Sequence, residues 1–144
     1  MKIKVISFNH KLNSSIEKLI NHYKKQIKQL EMVEYKPISD SNKETEFILN
    51  KLNEGDFFIC LSENGTAYNS VQFAEFIEKT MNTYKRIVFL IGKAEGINPQ
   101  LLDKANKVLS LSSLTFPHEL AKLVLIEQIY RAQSILNNHP YHKN

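Results

Sequence analysis

Cysteine occurs once in the 144 residues, at Cys60, which excludes an intramolecular disulfide and a zinc site built on a cysteine cluster. Cys60 lies in the apolar run Phe57-Phe58-Ile59-Cys60-Leu61 and reads as a buried strand residue. Tryptophan is absent, and arginine occurs only at Arg86 and Arg131, so the net charge of +4 comes almost entirely from lysine. A basic balance of this size favours a polyanionic partner such as RNA. No apolar run approaches the length of a membrane span, and the opening Met1-Lys2-Ile3-Lys4-Val5-Ile6 has no signal-peptide hydrophobic stretch. A soluble, cytoplasmic protein is expected. Neither a Gly-x-Ser-x-Gly elbow nor a phosphate loop ending in Gly-Lys-Ser/Thr is present. No histidines and carboxylates have metal-ligand spacing, so no metal is expected. Repeats, low-complexity tracts and dividing linkers are lacking too, which leaves a single domain over residues 1–144.

What is present is an alternation of strand and helix signals. Ile3 to Phe8 reads as a strand, and Ser14 to about Leu30 as a helix, with Ile16, Leu19, Ile20, Tyr23 and Ile27 at helical spacing. Met32 to Ile38 reads as a second strand, and a polar stretch from Ser39 supplies a cap for a helix from about Glu44 to Leu52. Phe57 to Leu61 and Ile87 to Ile91 read as buried strands, and Ser62-Glu63-Asn64-Gly65 as a turn. Ser70 is placed as the cap of a helix through Phe73, Phe76 and Ile77, and Asn98-Pro99 as the start of a short one. Val108 to Leu111 is a last short strand, and His118 to about Leu136 the longest helix. The pattern predicts an α/β fold, a mainly parallel sheet with helices on both faces. Ligands of such sheets bind beyond the carboxyl ends of the strands. The loops Ser62 to Asn69, Gly92 to Pro99 and Ser112 to His118 are therefore the expected site.

Four segments can carry chemistry. Gly92-Lys93-Ala94-Glu95-Gly96 follows a buried strand, where glycine lets backbone approach a ligand, though a plain βα turn reads the same way. Leu111-Ser112-Ser113-Leu114-Thr115-Phe116-Pro117-His118 suits a flat polar ring such as adenine, read by main-chain groups, or is simply a hydroxyl-rich turn before a helix. On the last helix, Glu127, Arg131 and Ser134 form a polar stripe among Leu120, Leu123, Val124, Leu125, Ile126, Ile129, Tyr130 and Ile135. So many apolar sides imply deep burial or a subunit interface, and an arginine there needs an anion, either Glu127 or a phosphate. The tail Asn137-Asn138-His139-Pro140-Tyr141-His142 offers proton exchange and base stacking, or is a flexible basic end. His10 and His22 lie in the N-terminal third, away from these segments, and His22 sits on a lysine-rich helix surface.

These segments, in this order and over essentially the whole chain, resemble the RlmH (YbeA) family of SPOUT-class methyltransferases. The resemblance rests most on Leu109 to His118, on Tyr130-Arg131-Ala132 and on Asn138-His139-Pro140-Tyr141-His142. The chain departs from the family at Lys93, where a second glycine is usual. The resemblance implies a C-terminal trefoil knot and a homodimer whose partner subunit completes the RNA side of the site. It implies S-adenosylmethionine bound by Leu61, Gly92 and the loop Leu111, Ser112, Ser113, Leu114, Thr115 and Phe116. It also implies methyl transfer to N3 of a pseudouridine in 23S ribosomal RNA of the assembled ribosome. His142, Tyr141 and Arg131 are the catalytic candidates. Arg131, His139, Tyr141 and His142 are the substrate-binding ones, and Glu95 is an alternative base. The competing expectations are a non-catalytic ribosome- or RNA-binding protein that retains the nucleotide pocket, and a methyltransferase of the same class acting on tRNA. Lys93 is the one sequence feature that points to the non-catalytic binder.

Overall fold

Strand and helix alternate along the whole chain, and every strand pairs in parallel with its neighbours. The computed structural model describes residues 2–9, 11–93 and 95–143; His10 and Ala94, named above, lie outside the described residues, as do Met1 and Asn144. The strands are β1 (Ile3–Phe8), β2 (Leu30–Tyr35), β3 (Asp56–Ala67), β4 (Arg86–Ile91) and β5 (Lys107–Ser110). The helices are α1 (Ser14–Lys24), α2 (Ser41–Leu49), α3 (Ser70–Met81), α4 (Pro99–Lys104) and α5 (His118–Leu136). The sheet order is β2-β1-β4-β3-β5.

The alternating side chains of the strands divide the core in two. Ile87, Phe89 and Ile91 of β4 face α1, α3 and α5 and pack with Ile20, Phe73, Ile77, Leu125 and Ile129. Val88 and Leu90 face α2 and α4 and pack with Phe58, Cys60, Ile48 and Leu101. Helices thus cover both faces, as the unbroken apolar runs of β3 and β4 require. Burial pushes the Cys60 thiol up to about 12, which leaves it inert near neutral pH.

Several boundaries differ from those the sequence suggests. The first helix stops at Lys24; residues 25–29 turn instead, with Gln29 at φ 58°, so the chain can swing back into β2 beside β1. Ile27 is still buried, through the turn rather than through a helical face. The second strand begins at Leu30, two residues early, and ends at Tyr35, before the extended approach to α2. Asp40 caps α2 by accepting from the Lys43 amide at 3.0 Å, which starts that helix three residues before the expected Glu44. The cap of α3 is Asn69, in a reciprocal capping box with Gln72; Ser70 is its first helical residue, and its hydroxyl donates to Gln128 of α5 at 2.8 Å. The last strand runs one residue earlier than expected.

The largest difference is in β3, which continues past Leu61 to Ala67. Leu61 and Thr66 both stand opposite Leu109, so residues 62–65 form an excursion inside the strand rather than its end. Gly65 makes this possible: a Cβ there would sit 2.6 Å from the carbonyl carbon and oxygen of Val108. Both contacts are backbone, which cannot rotate aside. Gly65→Ala is therefore expected to destabilise the fold by about 1–3 kcal/mol, the usual cost of overpacking, seen as a lower Tm.

Candidate functional site

The carboxyl ends of β3, β4 and β5 open into one cavity of about 410 Å³. All three loops that the sequence points to contribute. Leu61, Ser62, Glu63 and Asn64 come from the β3 excursion, and Gly92, Lys93, Glu95, Gly96 and Ile97 from the loop after β4. Leu111, Ser112, Leu114, Thr115 and Phe116 come from the loop after β5. Of the residues expected to hold the cofactor, Ser113 alone is absent from the wall; it is exposed and lies outside the cavity.

The loop after β5 holds its shape by hydroxyl turns. Ser110 Oγ donates to the Ser112 carbonyl at 2.9 Å, and Ser112 Oγ accepts from the Leu114 amide at 3.0 Å. Thr115 donates a short hydrogen bond to Glu63, which ties this loop to the β3 excursion across the cavity. Leu114 is left 71% exposed at the rim. His118, the first residue of α5, closes the floor: its Nδ1 lies 3.1 Å from the Gly92 carbonyl, and its ring lies 4.1 Å from that of Phe8. A carbonyl only accepts, so Nδ1 carries the proton in that contact. Glu63, His118 and Ile97 are wall residues that sequence reasoning did not single out, although each falls within an indicated loop. Glu63 and Glu95 give the cavity two exposed carboxylates. The Lys93 ammonium does not oppose them, because it is turned to Glu44 at 2.9 Å and to the Ile38 carbonyl at 3.0 Å.

The tail forms a second cluster. Pro117 prevents α5 from starting earlier, and a Schellman motif ends it. Asn138 adopts φ 57°, the His139 amide donates to the Ser134 carbonyl at 2.8 Å, and the Asn138 amide to Ile135 at 3.2 Å. This reversal lays Tyr141 and His142 back along α5. The Tyr141 hydroxyl donates to Glu127 Oε1 at 3.0 Å and lies 3.4 Å from the Tyr23 hydroxyl. Its ring meets that of Tyr130 edge-on at 4.7 Å. Burial first, and then the bonds to Tyr23 and Glu127, raise the Tyr141 phenol above its ordinary value, so it holds its proton.

Arg131 is the hub of this cluster. Its Nε and Nη2 donate to Glu127 Oε1 at 3.0 and 2.7 Å, its plane lies 4.8 Å from the Tyr141 ring centre, and its Nη1 is 3.0 Å from His142 Nδ1. Glu127 is thus the anion that Arg131 takes within the chain. A guanidinium only donates, so His142 Nδ1 accepts, and the neutral ring carries its hydrogen on Nε2. His139 is exposed, and among the described residues it joins the cluster through its backbone.

Within one chain the two clusters are apart. The cavity meets α5 at His118 and Ala121, and the tail packs at Glu127 to Arg131. The 13 residues from His118 to Arg131 span about 20 Å of helix. Leu120, Val124, Glu127 and Arg131 mark one outward stripe between them, apolar near the cavity and charged near the tail.

Comparison with known proteins places the chain among its relatives. A family described as "Predicted SPOUT methyltransferase" matches residues 1–142. A protein of Acholeplasma laidlawii named ribosomal RNA large subunit methyltransferase H is 44% identical over 147 aligned positions, which cover 99% of this chain and 100% of the relative. Proteins of the same name from Prochlorococcus marinus subsp. pastoris and Gloeobacter violaceus are 45% and 35% identical. They cover 86% and 99% of this chain, and 82% and 99% of their own lengths.

Proposed function

The chain belongs to the SPOUT methyltransferase family, and from that premise we propose that it methylates N3 of a pseudouridine in the 23S ribosomal RNA of the assembled ribosome, using S-adenosylmethionine. The observation that carries this reading is the cavity: three loops indicated by the sequence enclose one space of about 410 Å³, within the roughly 300–1,000 Å³ of small-molecule sites. Its donor set suits the cofactor. Leu61, Leu111, Leu114 and Phe116 offer apolar walls for adenine, and the carboxylates of Glu63 and Glu95 suit a ligand with a sulfonium and an ammonium. Gly92, which has no side chain, brings backbone to the same wall. The bound cofactor supplies a methyl group already activated on sulfur.

The protein's work is then to orient the acceptor nitrogen and to favour loss of its proton. Arg131 and His142 present N–H donors, which stabilise an anionic uracil-type ring. Tyr141 keeps its proton and holds both against α5. His139, exposed at the reversal, contacts substrate, as do the lysines Lys24, Lys25 and Lys28 near Tyr23. The separation of cavity and tail along α5 supports a homodimer in which two α5 helices pair antiparallel, so that one protomer's tail meets its partner's cavity. The knotted passage of the C-terminal segment belongs to the same reading, as does a cytoplasmic location beside ribosomes.

Methyl transfer from labelled S-adenosylmethionine should appear with whole ribosomes as substrate, with 3-methylpseudouridine identified by mass spectrometry of the nucleosides. Transfer to tRNA instead would replace the substrate in this reading. Cofactor binding with no transfer to ribosomes, large subunits or tRNA would leave a non-catalytic binder.

A further inference from the structure

On the far side of the β4–α4 loop, away from the cavity, lies a carboxylate that the proposed reaction does not use. Glu44 of α2 is 4% exposed. A buried carboxylate is costly unless its oxygens are paired, and here both are. Oε2 takes the Lys93 ammonium at 2.9 Å and lies 3.4 Å from the Tyr35 hydroxyl, while Oε1 accepts from Asn98 Nδ2 at 3.1 Å. Burial, then the charge of Glu44, raises the Tyr35 phenol, so it remains a donor.

Lys93 and Asn98 stand at the two ends of one loop. Between them Gly96 donates its amide to the Lys93 carbonyl at 2.8 Å, and Gly96 and Ile97 face the cavity. One carboxylate on a distant helix therefore grips both ends of the segment that forms the cavity wall. Lys93 adds a bond to the Ile38 carbonyl at 3.0 Å, and Asn98 Nδ2 reaches Thr45 at 3.1 Å, so the grip is anchored on both sides of α2's first turn. The side chains that pack α2 and α4 together, Ile48 and Leu101, are apolar and make no use of this network.

We infer that Glu44 is a positioning residue for the cofactor: by clamping Lys93 and Asn98 together, it holds the loop after β4 in the shape that receives S-adenosylmethionine. This rests on the reading of the cavity as the cofactor site. It also gives Lys93 a role compatible with catalysis, since its ammonium braces the loop from behind.

The test compares the full-length protein with Lys93→Met, Glu44→Gln, the double variant, and Arg86→Met as control. Arg86 pairs with Asp56 at 2.7 Å at the opposite ends of β3 and β4, so its loss weakens the fold away from the cavity. Calorimetric titration with S-adenosylmethionine should show Kd raised about tenfold or more in each clamp variant, with the double variant no worse than the poorer single one. With ribosomes, KM for the cofactor should rise while kcat at saturating cofactor stays within about twofold. In the ligand-free protein, the backbone amides at positions 93, 96 and 97 should exchange hydrogen faster in both single variants. Arg86→Met should lower Tm and change none of these. Unchanged Kd in the clamp variants overturns the inference, and so does an equal loss of affinity in Arg86→Met at equal loss of Tm. If the parent protein binds no S-adenosylmethionine, the reading of the cavity fails. Amide exchange then still decides the clamp, with unchanged exchange overturning it. If Glu44→Gln does not fold, Lys93→Met carries the test alone.

Discussion

Arg131→Ala is expected to reduce methyl transfer to ribosomes by about 100-fold or more, the usual loss when a preorganised donor is removed from a developing anion. Cofactor binding should be unchanged, because the cavity wall proposed to hold the cofactor is built from Leu61, Gly92 and the loop after β5, and Arg131 is assigned to the acceptor base instead. The size of the effect follows from how many contacts the guanidinium gathers. It joins Glu127, the Tyr141 ring and His142, so its removal costs a donor and also frees the tail that α5 holds in place. The cost to stability should be small, since an i,i+4 pair contributes only about 0.3–0.5 kcal/mol. Arg131→Lys keeps the charge but cannot reach Glu127 and His142 together, so it should recover little. Methylation at the parent rate by Arg131→Ala would remove Arg131 from the catalytic set. A matching loss of cofactor affinity would show that its effect is exerted on the cavity instead.

The parts of this protein that the sequence made legible are those coded locally. The long helix was bounded correctly at both ends because Pro117 blocks extension on one side and Asn137-Asn138 permits reversal on the other. Asn98-Pro99 marked the start of α4 for similar reasons, through a capping side chain and a proline already fixed for the first turn. What failed was coded at a distance. Ile27 sits at helical spacing from Tyr23, yet it is buried by a turn, and periodicity does not separate the two. The polar Ser62-Glu63-Asn64-Gly65 reads as the end of a strand. Only the pairing of Thr66 and Ala67 with β5, over 40 residues away, carries β3 past it. The same division runs through the site. The three loops were legible because ligands of parallel sheets bind at strand carboxyl ends. The tail's aromatic and imidazole groups were legible, but a held tail and a flexible basic end read alike until Tyr141 packs on Tyr130 and donates to Glu127. Glu44 was not, since a glutamate in the first turn of a helix reads as a solvated, dipole-matched residue, and only the tertiary fold buries it.

Gly92→Ala is expected to weaken S-adenosylmethionine binding by about 10–100-fold, or roughly 1.4–2.8 kcal/mol. The added methyl carbon would lie 2.5 Å from Ile97 Cγ1, 3.1 Å from the Ile97 amide nitrogen and 3.2 Å from the Gly96 carbonyl carbon. The first contact is too close for any real pair of carbons, so the loop must move, and the part that moves is the cavity wall. Gly92 also presents the carbonyl that meets His118, so a shift is passed to the start of α5. Buried strands β3 and β4 lie behind this point and are not disturbed, which should confine the loss of stability to about 1–3 kcal/mol. Relief at the point of collision distinguishes this account from a general weakening. Gly92→Ala/Ile97→Ala removes Cγ1 and should regain part of the affinity that Gly92→Ala loses. The two backbone contacts near 3.1 Å remain, so recovery should be incomplete. If Ile97→Ala in the Gly92→Ala background restores nothing, the methyl group acts by touching the ligand itself. Gly92 would then be a residue whose backbone the cofactor rests against, and not merely the hinge of the loop.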